Sequence, residues 1–247
     1  MTLNEFFTRN PRLAVAFSGG ADSSYLLYAA VTAGCDVRAY IIKSPFQPQF
    51  ELDDAWRLAE SIGVTLTVER FDILKYPSVT ENPADRCYFC KKALFTRLLD
   101  LCRADGYTLL CDGTNASDEA SERPGMRALS ELGICSPLCE CGLTKRDVRL
   151  LSKEAGLFTH DKPAYACLAT RIPAGTPITS PLLEKLERAE EALFAMGFSD
   201  FRVRYYAGSA KLQLPEAQLE TVLIKRAEIL KALGPDFDGV LLDLINR

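Results

Sequence analysis

A chain of 247 residues, 48% hydrophobic and 25% charged, is long enough to bury a sizeable core without disulfides. Its net charge of −4 argues against a protein that holds a polyanion by bulk electrostatics, and nine cysteines scattered through apolar segments fit thiols in a reducing compartment better than paired bridges. No run approaches the ~18 apolar residues of a membrane span, and the first residues lack the apolar centre of a signal peptide, so a soluble cytoplasmic protein is expected.

In chain order, Leu13–Phe17 is an apolar run cut off by Ser18-Gly19-Gly20, which reads as a buried strand entering a tight turn. Helical spacing follows over Ser24–Thr32, a second apolar strand over Val37–Ile42 and a helix over Glu51–Ile62. Val64–Val68 alternates as a strand, Tyr88–Leu101 reads as helix, and Thr108–Cys111 is a short strand before Asp112-Gly113. This β-α-β-α-β-α-β order predicts an α/β fold, a parallel sheet with helices on both faces. Thr144–Ala155 is a further helix, with Thr144 as N-cap and Asp147 three residues on. Phe158–Pro181 then loses periodicity and holds four prolines, and a connection that long is usually functional or a domain junction. Beyond it come a helix (Leu182–Met196), two alternating strands (Phe201–Tyr206, Ala210–Leu214), a helix (Glu216–Leu233) and a strand (Val240–Leu244). They read as a small C-terminal α+β domain, so the expected domains are residues 1–172 and 173–247.

The segment Ser18-Gly19-Gly20-Ala21-Asp22-Ser23, between a strand and a helix, suits an anion. Its glycines let the backbone approach phosphate, the helix start presents N–H groups, and Ser18, Ser23 and Ser24 add hydroxyls. Asp22 would be misplaced beside phosphate unless it holds a bridging metal ion. The lysine of a GxxxxGK[ST] loop is absent, which argues against γ-phosphate transfer. SGG-x-DS instead resembles the PP-loop of ATP pyrophosphatases, which cut ATP between the α and β phosphates. Asp112–Asp118, including Gly113 and Asp118, follows a later strand and should reach the same carboxyl edge of the sheet, with Asp118 sharing the Mg²⁺.

Cys87-Tyr88-Phe89-Cys90 is a CxxC pair at a helix start, where thiolate is favoured. A CxxC alone does not separate a redox pair, half a zinc site and an iron–sulfur ligand pair. Cys167 is the candidate third thiol. Three thiolates would leave one iron of a 4Fe–4S cluster open to carry an extra sulfide, and zinc in an open three-thiolate site competes. Cys135, Cys139 and Cys141 form a second cluster able to bind metal, whereas Cys35, Cys102 and Cys111 sit on apolar faces as core.

The PP-loop, the CxxC and Cys167-Leu168-Ala169-Thr170-Arg171 together resemble the LarE family, ATP-dependent sulfur transferases that make the nickel-pincer nucleotide cofactor of lactate racemase. The similarity spans nearly the whole chain and includes Arg123-Pro124-Gly125, Ser136-Pro137-Leu138, Leu143-Thr144-Lys145, Asp161-Lys162-Pro163 and Phe201-Arg202-Val203-Arg204. It implies ATP with Mg²⁺ and, as substrate, pyridinium-3,5-biscarboxylic acid mononucleotide, one carboxylate of which is adenylated and becomes a thiocarboxylate. Some members sacrifice the sulfur of the cysteine matching Cys167, leaving dehydroalanine. Others carry the CxxC too and assemble a 4Fe–4S cluster, the version that Cys87 and Cys90 favour here. The resemblance also implies a homo-hexamer. It assigns Arg171, Arg202 and Arg204 to the substrate's phosphate, the last two at period two on one strand face. Lys211 and Gln213 depart from the family's Arg and Glu in the adjoining hairpin, which puts substrate contacts there in doubt. A tRNA thiolation enzyme would call for a basic RNA-binding face, and the acidic balance counts against it. An ATP-dependent amide synthetase would need no thiols, and a non-catalytic nucleotide-sensing module would leave ATP intact.

Overall fold

The structure, a computed structural model, describes residues 1–118 and 124–245; Arg123, part of the family resemblance, lies outside the described residues. The chain divides into two compact units, Met1–Ile73 with Asp85–Lys162, and Leu74–Ala84 with Pro163–Arg247. The first half of the chain runs α1 (Leu3–Arg9), β1 (Arg12–Ala16), α2 (Ala21–Thr32), β2 (Asp36–Lys43), α3 (Gln49–Ser61), β3 (Leu66–Arg70), α4 (Pro77–Thr80), α5 (Arg86–Ala104) and β4 (Leu110–Cys111). The second half runs α6 (Pro124–Glu131), α7 (Pro137–Glu140), α8 (Lys145–Glu154), α9 (Ser180–Ala195), β5 (Arg202–Tyr206), β6 (Ser209–Gln213), α10 (Leu219–Ile224), α11 (Arg226–Leu233) and β7 (Val240–Leu242).

In the first unit the strands lie in the order β3-β2-β1-β4, all parallel, with Val15 opposite Ala39 and Cys111. Side chains alternate across a strand, so Leu13, Val15 and Phe17 enter one core with Leu26, Leu27, Leu58 and Val148 of α2, α3 and α8. Ala14, Tyr40 and Ile42 enter the other with Leu98 and Cys102 of α5. The sheet is therefore buried on both faces, as the apolar runs of β1 and β2 anticipated. The helix expected over Thr144–Ala155 forms with a full capping box: Asp147 N–H donates to Thr144 Oγ1, and the Asp147 carboxylate accepts from Thr144 N–H at 2.9 Å. Among the described residues, no helix is long and apolar enough to cross a membrane.

In the second unit β5 and β6 form an antiparallel hairpin and β7 joins β6 in parallel. The single helix expected over Glu216–Leu233 is instead a 3₁₀ turn, Glu216–Gln218, followed by α10 and α11, which break at Lys225. Thr221, Val222 and Ile224, three β-branched residues just before the break, lose side-chain freedom in a helix and weaken its continuation. The proline-rich connection is ordered by Asn82, whose backbone sits at φ 56. This 1% exposed side chain donates to the carbonyls of Pro173 at 2.7 Å and Thr176 at 3.0 Å. A loop that looked structureless thus gains a buried polar tie from the 74–84 excursion.

Candidate active site

Strands β1 and β4 are neighbours, so the loops leaving their carboxyl ends meet at one edge of the sheet. Gly19 turns at φ +70, a conformation that favours glycine, and a side chain there would stand 2.9 Å from the carbonyl of Glu51. Gly20 caps α2, whose first turn carries Asp22, Ser23 and Ser24. The hydroxyls of Ser18 and Ser23 lie 3.0 Å apart, and Ser18 N–H donates to Ser23 Oγ at 3.3 Å. A Cβ on Gly113 would fall 2.7 Å from Ser23 N, so the second loop touches the first through bare backbone.

That contact carries a prediction. Gly113→Ala must move one loop or the other by several tenths of an ångström, because both colliding groups are main chain. We expect ATP affinity to fall about tenfold or more with the melting temperature nearly kept, measured by calorimetric titration. Unchanged affinity would mean that this contact does not shape the nucleotide site.

The second loop is wired internally. Asp112 accepts from Thr114 Oγ1 at 2.6 Å and from Ser136 Oγ at 2.7 Å, while Asp118 accepts from Asn115 N–H at 3.2 Å. Asp22 is held differently. One of its oxygens takes the ammonium of Lys145, and the other, Oδ1, is buried with no hydrogen-bond partner. A bare buried carboxylate oxygen is costly to leave unmade and suits a cation, so the set fits Mg²⁺. Lys162 approaches from the other side, donating to Gly19 O at 3.1 Å and Asp54 Oδ2 at 2.6 Å.

Neither lysine was given a role from sequence, although both lie in segments that carried the resemblance. A signal existed for Lys145: it occupies the first position of α8, where a cation opposes the helix's positive end unless an anion is near.

The CxxC opens α5, with Cys87 exposed and Cys90 half-buried, three residues apart and so on one helical face. Between them, Tyr88 donates to Glu131 at 2.7 Å and lies under the Arg127 guanidinium, 4.0 Å from its ring centre, which ties the helix start to α6. Cys167, the third thiol, belongs to the second unit. Among the described residues, no three His, Cys, Asp or Glu side chains are grouped as a metal ion would need, Cys135, Cys139 and Cys141 included. Cys135 bridges to Cys111 in a parallel pair and donates to Glu140 Oε1 at 3.1 Å. Contact with Cys135 and burial push the Cys111 thiol up, and burial pushes Cys102 up to about 12, so both stay protonated core thiols.

Cys167 precedes a 3₁₀ turn, Leu168–Arg171, and three arginines hold the backbone around it. Arg171 donates to Ala166 O at 2.7 Å, Arg202 to Ala164 O, and Arg204 to Thr170 O at 2.7 Å. The Arg171 fork is also paired with Glu190, at 2.9 and 3.0 Å, in a contact where the side chains are 0% and 3% exposed. Glu190 further accepts from Tyr165 OH and from Val203 N–H at 3.0 Å. The Tyr165 ring lies near both Arg171 and Arg202, 4.4 and 5.1 Å from their guanidinium carbons. Sequence analysis missed Glu190, yet it stands on the apolar stripe Leu183–Leu186–Glu190–Leu193 of α9, where a charge needs a buried partner.

In the hairpin, the departures Lys211 and Gln213 share Asp243: Lys211 Nζ lies 2.9 Å from Asp243 Oδ2, and Gln213 Nε2 donates to the same oxygen at 2.8 Å. Gln213 in turn accepts from Arg204 Nε. The Lys211 ammonium, with Gln213 and the Ile245 amide, holds the Asp243 carboxyl down to about 2. A depressed carboxyl adds its stabilisation above its ordinary value and loses it as pH falls through the folded one. The tie should therefore survive to pH ~4 and fade toward pH ~2. Carbon-detected NMR titration should place the Asp243 midpoint near 2. In Lys211→Met it should move up toward the ordinary ~3.9, and an unmoved midpoint would show that another group holds it.

No family model matches this chain. An uncharacterised protein of Synechocystis sp. is 37% identical over 219 residues, covering 88% of this chain and 82% of its own. The pyridinium-3,5-bisthiocarboxylic acid mononucleotide synthase of Lactiplantibacillus plantarum is 35% identical over 238 residues, 94% of this chain and 86% of its own. The tRNA-specific 2-thiouridylase MnmA of Hahella chejuensis is 26% identical over 196 residues, 62% of this chain and 52% of its own. A relative of that identity, matched over nearly the whole chain, together with a parallel α/β sheet whose β1 and β4 loops meet at one edge, means that this chain belongs to the LarE family of sulfurtransferases in the PP-loop superfamily.

Proposed function

We propose that the chain adenylates a carboxylate of pyridinium-3,5-biscarboxylic acid mononucleotide and converts it to a thiocarboxylate, chemistry consistent with the name of its L. plantarum relative. The observation that carries this reading is the meeting of the Ser18–Ser23 loop with the Gly113 backbone beside the orphaned oxygen of Asp22. Ser18, Gly19, Gly20, Ser23, Ser24 and Gly113 bind the ATP phosphates through N–H groups and hydroxyls at the start of α2. Asp22 and Asp118 would hold Mg²⁺, which when bound neutralises the phosphate charge.

The substrate carboxylate oxygen attacks the α-phosphorus, the bond to the bridging oxygen breaks, and pyrophosphate leaves. Adenylation turns a poor leaving oxygen into a good one. Sulfur then attacks the acyl carbon, the carbon–oxygen bond breaks, and AMP leaves; where the sulfur is Cys167 Sγ, loss of the Cα proton and cleavage of the Cβ–Sγ bond release the thiocarboxylate and leave dehydroalanine. The small α+β domain takes the substrate's phosphate through Arg202 and Arg204, with Arg171 supporting the segment that carries Cys167. Cys167 is the sulfur-bearing residue. Cys87, Cys90 and Cys167 are soft thiolates, the kind of donor a 4Fe–4S cluster takes, and such a group, when bound, would supply a sulfide at its open iron. The overall negative charge favours a small nucleotide substrate over tRNA.

The products test the reading. With ATP, Mg²⁺ and the acid together, equal amounts of AMP and pyrophosphate should appear, with no orthophosphate. ADP formation, or nucleotide cleavage indifferent to the acid, would overturn it.

A further inference from the structure

The ion pair between Lys145 and Asp22 joins the starts of α8 and α2. The lysine's root is fixed twice over: the capping box of Thr144 and Asp147 anchors the start of α8, and the Lys145 amide donates to Ser117 Oγ at 3.0 Å. Its side chain, one-third exposed, is a flexible stem carrying a point charge. Asp22 presents one oxygen to that charge and leaves the other buried and bare. A structural pair would be expected to satisfy the carboxylate, and this one half-satisfies it.

We propose that Lys145 stands in for the metal on Asp22 while the nucleotide cradle is empty, and passes to the ATP phosphates when the metal–nucleotide complex binds. The inference rests on the reading of Asp22 as a metal ligand. A dication arriving at Oδ1 would repel the ammonium from the same carboxylate. The displaced charge needs an anion within reach of its stem, and the polyphosphate seated over the start of α2 provides it. Lys162 serves as the contrast. It is 14% exposed, with one bond to Gly19 O and another to Asp54, and so anchors the loop without facing an unfilled oxygen.

Two affinities that move in opposite directions test this. Mn²⁺ binding to the nucleotide-free protein, read by electron paramagnetic resonance, should tighten about tenfold in Lys145→Met, because the competing cation is gone. Binding of ATP in the presence of Mg²⁺, read by calorimetry, should weaken about tenfold in the same variant. Lys145→Gln, which can keep a neutral hydrogen bond to Asp22, should give the same pair of shifts. A lysine with only a structural role would weaken both affinities or neither, and either result overturns the proposal. Asp22→Asn separates the layers. If it leaves Mn²⁺–ATP binding intact, the metal reading fails and this inference with it. If it abolishes that binding while Lys145→Met shifts neither affinity, only this inference fails.

Discussion

Cys167→Ala should release pyrophosphate on its first encounter with ATP and the acid yet form no thiocarboxylate. The two halves of the reaction draw on separate groups, so a single substitution can part them. The Ser18–Ser23 and Gly113 loops and Asp22 lie in the first unit, and Cys167 in the second. The Cys167 carbonyl accepts from Thr170 N–H at 2.9 Å and Thr170 Oγ1 at 2.8 Å, bonds an alanine keeps. Sulfur transfer should fall by on the order of a thousandfold or more. Rapid quench for pyrophosphate with mass spectrometry for the thioacid reads both. Wild-type thiocarboxylate formation would remove Cys167 from the chemistry. Sacrifice and cluster separate in the same experiment: a sacrificed Cys167 leaves the wild-type chain lighter by one hydrogen sulfide after a turnover. The cluster version predicts iron and sulfide after anaerobic purification, both lost in Cys87→Ala.

Glu190→Ala should be among the most destabilising changes in the second unit. It strands the Arg171 guanidinium at a site where that side chain is 0% exposed, and it removes the acceptor for Tyr165 OH and for the Val203 amide. Removing one partner of a buried pair costs about 3–5 kcal/mol, because the remaining charge is uncompensated. For a unit of this size that is a drop of well over ~10 °C in melting temperature. The double variant Arg171→Met with Glu190→Leu should recover much of the loss, since no charge is then buried alone. Thermal unfolding of the three proteins decides it. A double variant no more stable than Glu190→Ala would mean that the bonds from Arg171 to Ala166 O and Thr170 Oγ1 matter more than charge burial.

Much of this arrangement was readable in advance where periodicity and turn chemistry agree. The apolar runs of β1 and β2 each supply two cores, and the capping box at Thr144 fixes the start of α8. Ser18-Gly19-Gly20 sits where a strand hands over to a helix, so the turn from β1 into α2 was legible down to single residues. What escaped depends on contacts distant in sequence. Asn82 orders the proline-rich connection from about ninety residues away, through φ > 0 and a buried amide that no local pattern announces. The break at Lys225 interrupts a helical pattern that carries no glycine or proline over Glu216–Leu233. Glu190 and Lys145 are charges in places where charges are unfavourable, and each is explained by a partner on another element. Those two residues break the local rule because contacts from other elements hold them.

In the proposed reaction a carboxylate oxygen of the substrate becomes bonded to the α-phosphorus before sulfur arrives. Substrate carrying heavy oxygen in its carboxylates tests this directly. Mass spectrometry should find one heavy oxygen in the AMP released for each sulfur gained by the acid. Unlabelled AMP alongside thiocarboxylate would contradict it.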